Sequence, residues 1–303
     1  MLYEALEWNR RRTRLILALF VFLVAGAGAA VGYLMGDTWM GLGLALVFAA
    51  VYLPFTYVTA SRQVLAIAGA EEASPEEYPE LHHVVEELAL AARIPKPRVY
   101  VVPEEAPNAF AVGIRPEEGA VAFTTGLLKL LNREELEGVA AHEISHLKNG
   151  DARLMTLAIA LVGVIVLLAD LGRQLLWWGG LGDERGRGRR RGGDSRGGAE
   201  ALFLLLAVVF LVLAPLAAQL TQLALSRNRE FYADASAVDL TRNPQGLIRT
   251  LIKLKEHAAT VRRANAATAG MYFVRPFADG GGLETLFSTH PPIEERIRRL
   301  EAM

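Results

Sequence analysis

Within AAHEISHLKNGD, Ala140 to Asp151, His142 and His146 stand four residues apart and Glu143 directly follows the first of them. On a helix that spacing sets both imidazoles about one turn apart on one face, where both can reach a single metal ion. Neutral imidazole nitrogens bind Zn2+ at about 2.0 to 2.1 Å, and two of them leave room for a third protein ligand and a water. Glu143 is turned about 100° around the helix from His142, beside such an ion and off its coordination axis. There it can accept a proton from a water that the ion acidifies toward a pKa of about 7, while the ion also polarises a carbonyl for attack. That chemistry is peptide-bond hydrolysis. A solvated helix face rich in Glu, His and Lys has the same residue types, so a third ligand must decide.

SRNREFYADASAVD, Ser226 to Asp239, offers one, because Glu230 and Asp234 are again four apart on one helical face. A carboxylate ligand, plus an acid that hydrogen-bonds the far nitrogen of a ligating histidine, is what a catalytic zinc site requires. The plainer alternative is an acidic pair offset by Arg227 and Arg229. Cysteine is absent, which excludes disulfides and thiolate sites and leaves His and carboxylate as the zinc ligands.

These residues need a scaffold, and the flanking sequence supplies it. Asn132 can cap a helix with Glu135 three residues on, and Leu136, Val139 and Ala140 give that helix an apolar side. RVYVV, Arg98 to Val102, reads as a strand, and NAFAVGIRPEEGAVAFTTG reads as two strands joined by the turn Arg115 to Gly119. From Glu80 to Ala92, Leu81, Val84, Val85, Leu88 and Ala92 recur at helical spacing, with His82 and His83 largely off the stripe and therefore at the surface. The polar segments 61–151 and 226–303 together suffice for one modest core built as a catalytic domain in two parts.

With 303 residues, 52% of them hydrophobic, and a mean hydropathy of +0.26, the rest of the chain must be strongly apolar. A formal net charge of -1 argues against nucleic acid as a partner. After the basic block Arg10 to Arg14, the uncharged runs Leu15 to Met35 and Trp39 to Val58 are each long enough to cross a bilayer and form a hairpin within 1–60. A cleavable signal peptide is the alternative for the first run; its length and the second run favour a span. Leu154 to Gly172 and Ala201 to Leu225 make a second hairpin within 152–225, kinked at Pro215 and joined by a Gly/Arg-rich loop, 182–198. The N-terminal arginines place the polar domain in the cytoplasm. By parity the second loop lies on the opposite side, although its six arginines favour the cytoplasm, so two full spans and a re-entrant hairpin both stay open.

Taken in order, the N-terminal hydrophobic pair, AHEISHLKNGD, two further hydrophobic segments, SRNREFYAD, and STHPP followed by ERI resemble the HtpX-type membrane zinc metalloproteases, relatives of the CAAX prenyl endoproteases. The resemblance covers essentially the whole chain. It implies an α-helical integral membrane protein with about four transmembrane helices and an α+β zincin-like (gluzincin) catalytic domain containing a small β-sheet. It also implies one Zn2+ per chain on His142, His146 and Glu230, Glu143 as general base, and Asp234 orienting a ligand. Asn108, with Ala109, Phe110 and Ala111, becomes the edge on which an extended substrate lies, a mode that gains backbone hydrogen bonds with little sequence preference. His290 becomes a stabiliser of the tetrahedral oxyanion and Arg296 a further support. The resemblance further implies quality control of damaged membrane proteins or unfolded polypeptides at the inner membrane. A prenyl-peptide endoprotease, which needs a chamber of more spans, and a silent zinc-binding scaffold, which has no use for Glu143, are the rivals. Oligomeric state, and whether 264–288 forms a lid, stay open.

Overall fold

A computed structural model describes residues 2–34, 36–161, 227–257, 260–261, 269–274 and 291–303. The described residues fall into two compact units, one drawn from 1–13, 57–160 and 221–303, the other from 14–56 and 161–220.

The second unit contains most of a helical hairpin. Helix α1 covers Leu2–Leu34 and α2 covers Thr38–Ala68. The stretches Glu7–Tyr33 and Thr38–Ala68 are each long and apolar enough to cross a membrane. Leu44, Val47, Phe48, Val51, Phe55 and Val58 of α2 are exposed, a face suited to lipid and not to water. The turn is set by Gly36, at φ 92°, and by Asp37, whose carboxylate accepts from the Met40 amide at 3.0 Å. The helices touch through glycine: a Cβ on Gly28 would lie 2.2 Å from the Ala45 Cβ, and one on Gly41 would lie 2.2 Å from the Gly28 carbonyl oxygen. Helix α2 does not stop where its apolar run ends. It continues to Ala68, and Ala60, Val64, Leu65 and Ala68 are buried within the first unit. Beyond the helical stretch 151–161, labelled α6 below, the expected second hairpin and its Gly/Arg loop lie outside the described residues.

The first unit is mostly helical around a four-stranded mixed sheet in the order β1-β2-β4-β3. Strand β1, Glu71–Glu72, runs antiparallel to β2, Arg98–Val102; β2 runs parallel to β4, Ala120–Thr124, pairing Tyr100 with Ala122. Strand β3, Ala109–Val112, lies antiparallel to β4 with Phe110 opposite Ala122, so β3 is an edge. Strands β2, β3 and β4 are those expected from RVYVV and from the two runs joined by the 115–119 turn; β1 was not anticipated.

Helix α3, Pro79–Ala92, buries the stripe Leu81, Val84, Val85, Leu88 and Ala92. His82 is half-buried, its Nε2 2.9 Å from the Ala73 carbonyl, and His83 is exposed. Helix α4, Thr125–Leu130, leads into α5, Arg133–Asn149, which is packed against α3, against α7 (Arg227–Thr241), against α8 (Pro244–Glu256) and against β3. The last helix, α9, is Ile293–Glu301. Helix α5 begins with the expected capping box: Asn132 Oδ1 accepts from the Glu135 amide at 3.1 Å and Glu135 Oε2 accepts from the Asn132 amide at 2.9 Å. Lys253 Nζ donates to the same buried carboxylate at 2.7 Å, compensating a charge that burial would otherwise penalise. Gly150, at φ 72°, ends α5 in the left-handed conformation and turns the chain into α6.

Candidate metal centre

Because α5 is covered on several sides, its polar motif is buried: His142 is 0% and Glu143 1% exposed. The two imidazoles meet edge to face with Nε2 to Nε2 at 3.1 Å. Glu230 comes in from α7, its carboxylate oxygens 3.6 Å from His142 Nε2 and 3.7 Å from His146 Nε2. One ligand atom from each of the three lies within 4.8 Å of the others.

Each histidine is held from behind. His142 Nδ1 is 2.9 Å from Asp234 Oδ1. Arg296 grips that carboxylate with two bonds, Nε to Oδ2 at 2.8 Å and Nη2 to Oδ1 at 2.7 Å, and spends Nη1 on the Phe273 carbonyl at 2.9 Å. Burial pushes the Asp234 carboxyl up, and the Arg296 charge together with hydrogen bonds from His142 and Arg296 overcomes it, so the net shift is downward. His142 goes the other way: burial lowers it, hydrogen bonds to Asp234 and Glu230 more than compensate, and it is raised.

Behind His146 stands Asp151, with Oδ2 3.3 Å from Nδ1. No role for Asp151 follows from four-residue spacing. It reaches back only because Gly150 reverses the chain at the end of α5, and the signal available was the rule that a ligating histidine needs an acceptor for its other nitrogen.

This donor set fits a divalent cation. Once each Nδ1 gives its hydrogen to a carboxylate, each Nε2 presents a lone pair, so two lone pairs and a carboxylate converge on one point and repel unless a cation lies between them. Both oxygens of Glu143 are buried and accept no hydrogen bond of ordinary geometry. Burial, aided by the negative charge of Glu230, pushes the Glu143 carboxyl up to about 8, against the lowering influence of His146, Arg296 and the Ala111 amide. A buried carboxyl tuned this close to neutrality is suited to accepting and returning a proton.

A cleft lined by Ala111, Glu143, His146, Arg229, Glu230 and Tyr272 opens onto this group. Of the expected substrate edge, Ala111 faces the cleft, but Asn108 does not: it is 1% exposed, and its side chain donates to the Val274 carbonyl at 2.9 Å and accepts from the Val274 amide at 3.2 Å. The Phe273 amide donates to the Ala109 carbonyl at 2.8 Å and Phe110 pairs with Tyr272, so the chain's own segment runs along β3 over Ala109 and Phe110. Arg296 is fully buried behind Asp234, away from the cleft lining. His290 lies outside the described residues.

The family described as Peptidase family M48 matches residues 75–303. The protease HtpX homologs of Ligilactobacillus salivarius (strain UCC118), Lactobacillus helveticus (strain DPC 4571) and Streptococcus gordonii (strain Challis) are 47%, 45% and 46% identical to it, each over 100% of both chains. The crystal structure of S. mikatae Ste24p aligns with a TM-score of 0.47 at 19% identity, over 94% of this chain and 62% of that longer one. On the family match and the full-length likeness to the HtpX homologs, the chain belongs to peptidase family M48 and is a metalloprotease.

Proposed function

We propose that this is a membrane-bound, zinc-dependent endopeptidase in which His142, His146 and Glu230 hold one Zn2+ and Glu143 is the general base. The observation that carries the reading is the convergence of three ligand atoms within 4.8 Å, beside the buried carboxyl of Glu143. A bound Zn2+ supplies Lewis acidity there, acidifying water and polarising the scissile carbonyl. Glu143 takes the proton of the attacking water and returns it to the leaving amine, an exchange its place directly after His142 in the buried cleft allows. Asp234 and Asp151 fix both histidines in the tautomer with a free Nε2, and Arg296 keeps Asp234 ionised. An extended peptide lies along β3 at Ala111, with Asn108 anchoring that edge from behind through Val274. His290, by the family resemblance, stabilises the oxyanion.

The two apolar helices support membrane attachment. Within the same reading the chain has four spans, the arginines near its start keep the catalytic unit on the cytoplasmic face of the inner membrane, and damaged membrane proteins or unfolded polypeptides are the substrates. Metal analysis and casein cleavage by purified protein test the core of the proposal. The parent should hold one zinc and cleave in a chelator-sensitive way, and Glu143→Gln should keep the zinc and lose nearly all turnover. Cleavage by Glu143→Gln at the parent's rate removes the general base; a parent without zinc removes the metal.

A further inference from the structure

Asn9 lies on the first helix, 142 positions from the residue it bonds, yet the first 13 residues belong to the same compact unit as the metal site. It is 5% exposed. Its Nδ2 donates to Asp151 Oδ1 at 2.8 Å and to the Asn149 carbonyl at 3.3 Å. Both neighbours are acceptors, so the amide can be turned only one way, NH2 toward them. Asn9 Oδ1 is left buried without a partner, a cost accepted in order to present a doubly donating nitrogen at this point. One turn further on, the Thr13 hydroxyl donates to the Asn9 carbonyl at 2.8 Å, a local back-bond within the helix.

What Asn9 holds matters because of the other end of the carboxylate. Asp151 Oδ2 faces His146 Nδ1 while Oδ1 takes the Asn9 bond, with Arg229 Nη1 3.5 Å from Oδ1 on the α7 side. A carboxylate on a single methylene can still rotate; one pinned at one oxygen presents the other in a fixed direction. His142 has a rigid counterpart in the forked Asp234–Arg296 pair, whereas His146 relies on a carboxylate directly after a glycine turn. We infer that Asn9 is a positioning residue of the metal site: by holding Asp151 Oδ1 it aims Oδ2 at His146 Nδ1, which makes the start of the first helix part of the zinc-binding machinery. The inference rests on the metal reading above. Its corollary is that removal of the N-terminal segment, as by signal cleavage, leaves a catalytic unit with a weakened His146.

The test is zinc affinity of the purified full-length protein, by competition with a chromogenic chelator, alongside casein turnover. Asn9→Leu keeps the side chain's approximate volume and removes the donor; zinc affinity should fall about tenfold, the low end for partners standing behind a ligand. Asp151→Asn should weaken zinc as well, because its NH2 then meets either the Asn9 donor or His146 Nδ1. The double variant Asn9→Asp with Asp151→Asn reverses donor and acceptor across the 2.8 Å contact, giving up only the longer bond to the Asn149 carbonyl, and should bind zinc more tightly than Asp151→Asn alone. A merely structural clamp would not regain metal affinity through that swap. Parent-like affinity in Asn9→Leu, or a double variant no tighter than Asp151→Asn, overturns the inference while leaving the metal reading intact. A parent that binds no zinc removes both.

Discussion

Glu143 should make the metal-free protein less stable as the medium becomes more alkaline, and Glu143→Gln should abolish that dependence. In the fold the carboxyl titrates at about 8; in the unfolded chain it returns to its ordinary 4.5. Between these values the folded protein keeps a proton that the unfolded chain has lost, so stability declines as pH rises through the window, is least above about pH 8, and is undiminished below the unfolded value. Each pH unit of separation is worth about 1.4 kcal/mol, so the ceiling is about 5 kcal/mol, and water entering the cleft reduces it to a few. A buried Gln carries its own cost at every pH, which cancels when the variant-minus-parent difference at pH 5 is compared with that at pH 8. Thermal melting in detergent with excess chelator gives this directly. At pH 5 the two proteins should melt within a few degrees of each other, and at pH 8 the Gln variant should melt higher by an added gap of roughly 2 to 4 °C per kcal/mol. An equal gap at both values, or a larger one at pH 5, refutes the claim that burial raises this carboxyl.

Three further outcomes follow from the same contacts. Glu230→Ala should lose zinc and activity together and Asp234→Asn should lose metal affinity about 10- to 100-fold; unchanged zinc stoichiometry in Glu230→Ala would send the search for a third ligand elsewhere. Arg296→Met leaves Asp234 buried without its cation and should destabilise the fold by about 3 to 5 kcal/mol in melting experiments, whereas adding Asp234→Leu should restore stability without restoring zinc affinity. For sidedness, the absence of natural cysteines makes single cysteines clean probes: an impermeant thiol reagent on intact cells should label Ser195→Cys and spare Ser74→Cys. Labelling of Ser74→Cys alone overturns the cytoplasmic assignment, and labelling of neither favours a re-entrant second hairpin.

Helix α5 could be read in advance because its signals are local: Asn132 and Glu135 are three apart, and the histidines share a face by spacing alone. Strands β2, β3 and β4 were legible for the same reason, each a short run bounded by turn residues, whereas the two-residue β1 was not. Glu230 stood out as a candidate because it is four residues from Asp234, and the fold brings its carboxylate within 3.6 to 3.7 Å of both histidines. Contacts between residues distant in the chain were not legible. Spacing within IEERIRRLE does not mark Arg296 among three arginines; the family resemblance singled it out as a support, and its bond to Asp234 is a contact that only the structure shows. The pairing of Phe110 with Tyr272 leaves no periodicity, because a single bridge is too short to have one. Hydropathy also misplaced the end of α2: it measures compatibility with lipid, and the helix goes on past Val58 by burying one face, Ala60, Val64, Leu65 and Ala68, against protein.

The glycine contacts between α1 and α2 divide the hairpin's surface into two evolutionary regimes. In lipid, helices gain nothing by hiding leucine from leucine, so cohesion depends on how closely the backbones approach. At Gly28, Gly32 and Gly41 a single added carbon would come within 2.2 to 2.4 Å of an atom of the same hairpin, so even alanine forces the helices apart. On the outer face, by contrast, Leu44, Val47, Val51 and Val58 can exchange with any apolar side chain of similar length at little cost. The membrane anchor is therefore free to drift in nearly all of its bulk while being pinned at the few positions that have no side chain to vary.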